Sequence, residues 1–220
     1  MAYKKTRKVY KRRAAPRRTR IMRMPSEANM KHFDVGSAGI SIAGNATSQF
    51  EMTPFALAEG TDNNQRLGRK IRVYKVECLC QITPSQLSIQ PNGDSIRCVI
   101  VLDSEVRGVS FTGGDVFDSA TATTLYNASK VPSRFRVLAD MNHALIPTSV
   151  LAGVTQSVAF VPVWREHLKV RCNITYTGNA GTLADVQDYG IRAVAISANG
   201  TAAVVGTMTM VCRYWFKDIQ

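Results

Sequence analysis

The densest chemistry in this 220-residue chain is cationic. Residues 1–23 hold Lys4, Lys5, Arg7, Lys8, Lys11, Arg12, Arg13, Arg17, Arg18, Arg20 and Arg23, and the first acidic residue is Glu27. Seven of these eleven are arginines, whose planar guanidinium groups take phosphate oxygens in pairs. Each cation that neutralises a phosphate also releases a condensed counterion. Such a block therefore binds nucleic acid without reading its sequence, and loses affinity as salt rises. Tyr3 and Tyr10 lie among the charges, where they can stack on unpaired bases. Ala14-Ala15-Pro16 breaks any amphipathic helix, which argues against a membrane-surface role. A nuclear localisation signal or a solubilising tail would use the same residues.

Catalytic and metal chemistry find less support. His32, His143 and His167 have neither H-x-H nor H-E-x-x-H spacing, so no metal site is expected and no cofactor is implied. Gly36-Ser37-Ala38-Gly39 lacks the spacing of a nucleophile elbow, and no phosphate-cradling G-x-x-x-x-G-K-[ST] loop occurs. The chain is read as a non-enzyme. Cys78, Cys80, Cys98, Cys172 and Cys212 contain no C-x-x-C pair and are read as reduced core residues. The first four can hold zinc only if the fold brings them together. Asp62, Asp94, Asp185 and Asp188 match no EF-hand spacing, and calcium at a subunit contact is the weak alternative.

Outside the arm the charge nearly vanishes. Residues 24–220 carry 17 basic and 16 acidic residues, against a total of +12 for the chain. With 45% hydrophobic residues this body can bury a core, whereas the arm repels itself and cannot pack. The division expected is a disordered basic arm over residues 1–24 and one domain over 25–220. No apolar stretch approaches the ~20 residues of a membrane helix, and no apolar block follows the basic start as in a secretory signal. The expectation is a soluble protein made inside the cell, with no membrane partner.

Strand periodicity organises the body. Leu168, Val170, Cys172, Ile174 and Tyr176 alternate with polar residues, the period of a strand with one buried face. The same reading puts Tyr74, Val76, Cys78, Cys80 and Ile82 on one phase, and Ile96, Cys98, Ile100 and Leu102 on another strand. It groups Phe135, Val137, Ala139 and Met141 against Arg136, Asp140 and Asn142. It also aligns Val204, Met208, Met210, Cys212, Tyr214 and Phe216. Residues 48–57, 155–162 and 189–197 are weaker candidates, and 114–128 suits a short helix within a long loop. Asn199-Gly200 reads as a hairpin turn. About eight strands without strand-helix alternation predict an all-β fold, a single eight-stranded antiparallel jelly-roll sandwich.

Four segments then carry a resemblance. Gly60-Thr61-Asp62-Asn63-Asn64-Gln65-Arg66-Leu67-Gly68 resembles a "G-x-D-x-x-Q-R-x-G" segment leading into an early strand. Arg97 to Asp103 resembles the next strand, which often ends in Asp. Ser133 to Asp140 resembles an "R-F-x-V-L-x-D" strand, and Arg213-Tyr214-Trp215-Phe216-Lys217-Asp218 a closing strand. In this order they resemble capsid proteins of small circular single-stranded DNA viruses (circovirus- and genomovirus-like) and of satellite necrosis viruses.

The resemblance implies a subunit that assembles with itself into an icosahedral homo-oligomer, most simply of sixty copies, around a single-stranded genome, DNA favoured over RNA. It implies a virion protein that passes through the host nucleus or cytoplasm during assembly. Host nuclear import receptors and a cell-surface receptor are the further partners it suggests. Lys169, Arg171, Arg134 and Arg136 are body residues that can add to the arm's charge. A cellular basic-tailed β-sandwich that binds nucleic acid as a chaperone, and a secreted jelly-roll ligand, stay open as rival readings.

Overall fold

A computed structural model describes residues 29–37, 39–44, 48–50, 57–84, 94–131, 133–145, 163–198 and 204–219. Among them run nine strands: β1 (Lys31–Gly36), β2 (Ile40–Ala43), β3 (Ser48–Phe50), β4 (Lys70–Pro84), β5 (Asp94–Asp103), β6 (Phe135–Leu145), β7 (Val163–Thr175), β8 (Gly190–Ser197) and β9 (Val204–Asp218). A one-turn helix, α1 (Gly113–Val116), interrupts the long connection between β5 and β6, within a residue of the expected start.

All strand pairings are antiparallel and form two sheets. The first sheet has the order β1-β9-β4-β7, with β2 also on β9, and the second the order β3-β8-β5-β6. β1 pairs with residues 211–216 of β9 and β2 with 204–208, so the two share one edge position in succession. Counted as one strand, they reduce the orders to 1-8-3-6 and 2-7-4-5. First and last strands are then neighbours, as are second and next-to-last, which is the winding of a jelly roll. The fold class read from periodicity is the one observed.

Alternation puts the core between the sheets. Ile71, Val73, Val76, Cys78, Cys80 and Ile82 of β4 meet Leu168, Val170, Cys172 and Ile174 of β7 on one layer. Ile96, Cys98, Ile100 and Leu102 of β5 with Ile191, Ala193 and Ala195 of β8 complete it from the other sheet. A second cluster lies outside the second sheet. There Val99, Val101, Phe135, Val194 and Ile196 are covered by Phe111, Val116 and Phe117 from the connection after β5. β8 is consequently buried on both faces along all eight residues.

Several phase assignments need correction, each for a bulge. In β4 the register shifts between Val73 and Lys75, so Tyr74 is an extra residue, half-exposed rather than on the core phase. In β6 the shift opposite Ile100 and Val101 makes Leu138 the extra residue. Phe135 and Val137 therefore face the outer cluster, while Ala139 and Met141 face the core between the sheets. Arg136, assigned to the solvent phase, instead reaches across the sandwich edge and donates to the Val170 carbonyl at 2.8 Å. In β9 the opposing strand shifts between Ile42 and Ala43, and Val204 stands 40% exposed. β1 and β2 went unread because they offer only two or so apolar residues each to the pattern. The 155–162 strand, the Asn199-Gly200 turn and residues 51–56 of the 48–57 run lie outside the described residues.

Candidate nucleic-acid interface

The eleven arm residues Lys4, Lys5, Arg7, Lys8, Lys11, Arg12, Arg13, Arg17, Arg18, Arg20 and Arg23 lie outside the described residues. The chain is first described just before β1, at an edge of the first sheet. The outward face of that sheet is where the body concentrates positive charge. Strand alternation turns Lys70, Arg72 and Lys75 of β4, Arg165, Lys169 and Arg171 of β7, and Arg213 and Lys217 of β9 outward. Among the described residues two carboxylates join them, Asp34 and Glu77.

Both carboxylates are engaged. Asp34 accepts from Arg213 through Nε and Nη2, each at 2.7 Å. That fork holds the Asp34 pKa below its ordinary value. Lys75 Nζ lies 2.8 Å from Glu77 Oε1, and His167 Nδ1 lies 3.6 Å from the same oxygen. The hydrogen bond from Lys75 is the main reason the Glu77 pKa is lowered. Trp215 sits between these groups, with Lys75 Nζ 5.2 Å from its ring centroid and the His32 ring 5.5 Å away. At the other end of the face Leu79, Val163 and Val211 are exposed.

The second sheet treats its charges differently. Arg134 donates to Asp103 through Nε and Nη2, each at 2.8 Å, and Asp103 is 1% exposed. Arg97 donates to Asp140 from Nε at 2.9 Å and Nη2 at 2.6 Å. Arg97 also reaches the Thr124 carbonyl at 2.6 Å, and its guanidinium lies beside the stacked Phe117 and Tyr126 rings, 5.4 and 5.1 Å from their centroids. Arg192 is buried over Phe111 and donates to its carbonyl. The Arg97–Asp103 and Arg134–Asp140 segments thus run antiparallel and join their ends reciprocally. These residues pin the 104–134 connection onto the sheet; Arg134 and Arg136 are committed to structure rather than free for a ligand.

Arg66 explains the 60–68 segment. It is fully buried, its guanidinium 4.2 Å over the Tyr176 ring. It donates to the Leu57 carbonyl at 2.9 Å and to the Gly68 and Gly178 carbonyls. Gln65 packs its amide against Gly60, where an added Cβ would lie 1.7 Å from Oε1. The motif is a staple between two loops.

Candidate ligands for metals do not converge: among the described residues no three of His, Cys, Asp and Glu form a group. All five cysteines are buried and unbridged. Cys78 and Cys212 are register partners with sulfurs 3.0 Å apart, a contact that with burial pushes the Cys78 thiol pKa up. Burial pushes Cys98 and Cys172 up to about 12. Asp185 caps a turn instead, accepting from the Thr182 N–H at 3.0 Å. His143 stacks on Trp164 at 3.8 Å across the sandwich, and burial lowers its pKa.

No protein family and no curated protein matches this chain. Solved structures similar to it include the following two. One, of Desmodium yellow mottle tymovirus, has 9% identity and a TM-score of 0.34, covering 87% of this chain and 88% of that one. The other, the crystal structure of the 60-mer BFDV capsid protein, has 14% identity and a TM-score of 0.29, covering 86% and 90%. Both likenesses are too distant to carry an argument about function.

Proposed function

We propose that this chain is the coat subunit of a small virus shell, closed by self-association and filled with a single-stranded genome held through residues 1–24. The observation that carries the proposal is the joining of two opposites in one chain. A jelly-roll body near charge neutrality can pack against copies of itself, while a block of eleven cations needs phosphates before many copies can crowd together. Residues 25–220 form the shell unit, and the four segment resemblances to coat proteins point the same way. Sixty copies are the simplest closed arrangement and would bring roughly 660 arm charges, enough to offset hundreds of phosphates. DNA is favoured over RNA on the resemblance alone, and a virion with a nuclear or cytoplasmic assembly stage follows from it. The chemistry is structural throughout, with no reaction assigned.

Electron microscopy of the purified chain tests the assembly: closed particles are expected, and a monomer at every salt concentration would refute it. Deleting residues 2–23 tests the filling. Shells should still form but with the absorbance ratio of empty protein. A wild-type 260/280 ratio after the deletion would show that the arm is not the principal genome contact.

A further inference from the structure

The described body carries a cationic surface of its own, and its chemistry is not that of an ordinary solvated sheet. Eight cations and two carboxylates face outward from β1, β4, β7 and β9. The whole body has only one more cation than carboxylate, so the rest of it is net acidic. Asp34 and Glu77 are taken by Arg213 and Lys75. Lys70, Arg72, Arg165, Lys169, Arg171 and Lys217 form no ion pair with a described residue. Arg72 lies over the Tyr74 ring, 5.6 Å from its centroid, with its Nε unpartnered.

We propose that this face of the first sheet is a second, arm-independent binding surface for the phosphate backbone of single-stranded nucleic acid. This deepens the reading of a genome-filled coat subunit and rests on it. Arg165, His167 and Lys169 project from alternate positions of one strand, a row spaced ~6.7 Å apart by strand geometry, and Arg171 follows at the bulge. A rigid row of this kind meets an extended polyanion without ordering a flexible segment first. The arm cannot be what covers it, because eleven further cations would be driven off by the same field. Recognition here should be largely blind to base identity, since charge dominates the face and Asn173 and Gln81 are the amide side chains beside it.

The test uses full-length chains and labelled 30-residue oligothymidine and oligouridine, with anisotropy measured across salt. Five proteins are compared: the natural chain, one with the eleven arm cations changed to glutamine, one with Arg165→Glu and Lys169→Glu, one with both sets, and an arm-neutralised chain with Arg165→Gln and Lys169→Gln. The arm-neutralised chain should still bind both oligomers with a salt-dependent constant. Adding Arg165→Glu and Lys169→Glu should weaken that binding at least tenfold and lower the log–log salt slope by about 1.4, at ~0.7 per phosphate contact. The pair Arg165→Gln and Lys169→Gln should give a smaller loss in the same direction, with an unchanged circular-dichroism spectrum. If the face substitutions leave the arm-neutralised chain's affinity and slope unaltered, the face is not a phosphate site, while the arm's role stands. If they abolish particle formation but not oligomer binding, the face is a contact between copies and the proposal falls. If the natural chain binds neither oligomer at low salt, the genome-filled reading itself fails.

Discussion

The two outward faces of the sandwich use the same residue types to opposite ends. On the second sheet Arg97 and Arg192 are covered by the 104–134 connection, Arg134 at its end is half-buried, and Arg97 and Arg134 are forked to carboxylates. On the first sheet eight cations share two carboxylates, and Lys70, Arg165, Lys169, Arg171 and Arg213 among them are exposed while Arg72, Lys75 and Lys217 are half-buried. The difference lies in what each guanidinium does for stability. A buried charge must be paired or it costs several kcal/mol, so the second face cannot lose a partner cheaply. An exposed cation is solvated by water and costs little to keep or remove. Charge is structural on one face and available on the other.

The largest effects should come from breaking the covered face. Phe135→Ala removes a ring that packs 4.9 Å from Phe111 in the outer cluster, and should cost about 3–5 kcal/mol by its cavity. Arg134→Met leaves Asp103 buried without its cation, and about 3–5 kcal/mol is expected there as well. Urea denaturation reads both. A loss within 0.5 kcal/mol, about the level of surface substitutions, would show that the connection does not seal this face. On the first face Lys169→Ala should stay within that ~0.5 kcal/mol.

Arg66→Lys comes next. Lysine keeps the charge but cannot satisfy the Leu57, Gly68 and Gly178 carbonyls from one nitrogen, and it loses the flat contact with Tyr176. A loss of about 1–3 kcal/mol is expected, the cost of leaving a buried acceptor unpaired. An unchanged Tm would mean that the staple between the two loops is not needed.

Much of this fold was legible in residues. Period-2 alternation is strong where one face is buried and the other wet, as in β7 from Leu168 to Ile174, and there burial follows the pattern residue by residue. It fails where a bulge shifts the phase, which no side-chain pattern announces: Leu138 is as apolar as its neighbours, so Phe135 and Ala139 read as one face. It fails too where a loop covers the outer side, because Val99 and Val101 then look like noise rather than a second core. The cationic face was half visible. Lys169 and Arg171 stand out within one strand, and Arg165 joins them because β7 begins at Val163, ahead of the alternation at Leu168, but Arg72 and Arg213 join them only through the long-range pairings of β4 with β7 and of β9 with β4. Arg134 and Arg136 were equally cationic in the chain and are spoken for in the fold.

Acid sharpens the same contrast. The hydrogen bond from Arg97 holds the Asp140 pKa below its ordinary value of 3.8. A carboxylate lowered on folding contributes stability that is whole above the unfolded value and is lost as pH falls through the folded one. Between pH 7 and 5 this pair should therefore be silent, and below about pH 3.8 it should weaken. Asp140→Asn should flatten the acid limb of the stability curve. Asp34 on the first face is also lowered, by Arg213, but both partners are nearly half exposed. Asp34→Asn should change that limb much less, and an equal change would erase the distinction between the faces.

The smallest stability change with the clearest functional consequence should come from Arg171. It sits in β7 opposite the Tyr74 bulge with φ 52°, the left-handed region that L-residues other than glycine, asparagine and aspartate enter at a cost. Glycine adopts this conformation freely but adds freedom to the unfolded chain, and the two terms are of similar size, each about 1 kcal/mol. Arg171→Gly should thus leave the denaturation midpoint nearly unchanged or raise it slightly. Its loss should appear elsewhere, as one phosphate contact fewer and a salt slope shallower by ~0.7 in oligothymidine binding. A chain that keeps its midpoint and loses its slope would mean that an arginine is held in a glycine-favouring bend for its charge. A chain that loses its midpoint by more than ~1 kcal/mol would mean that the arginine stem packs the bulge, and the open face would then have a structural stake after all.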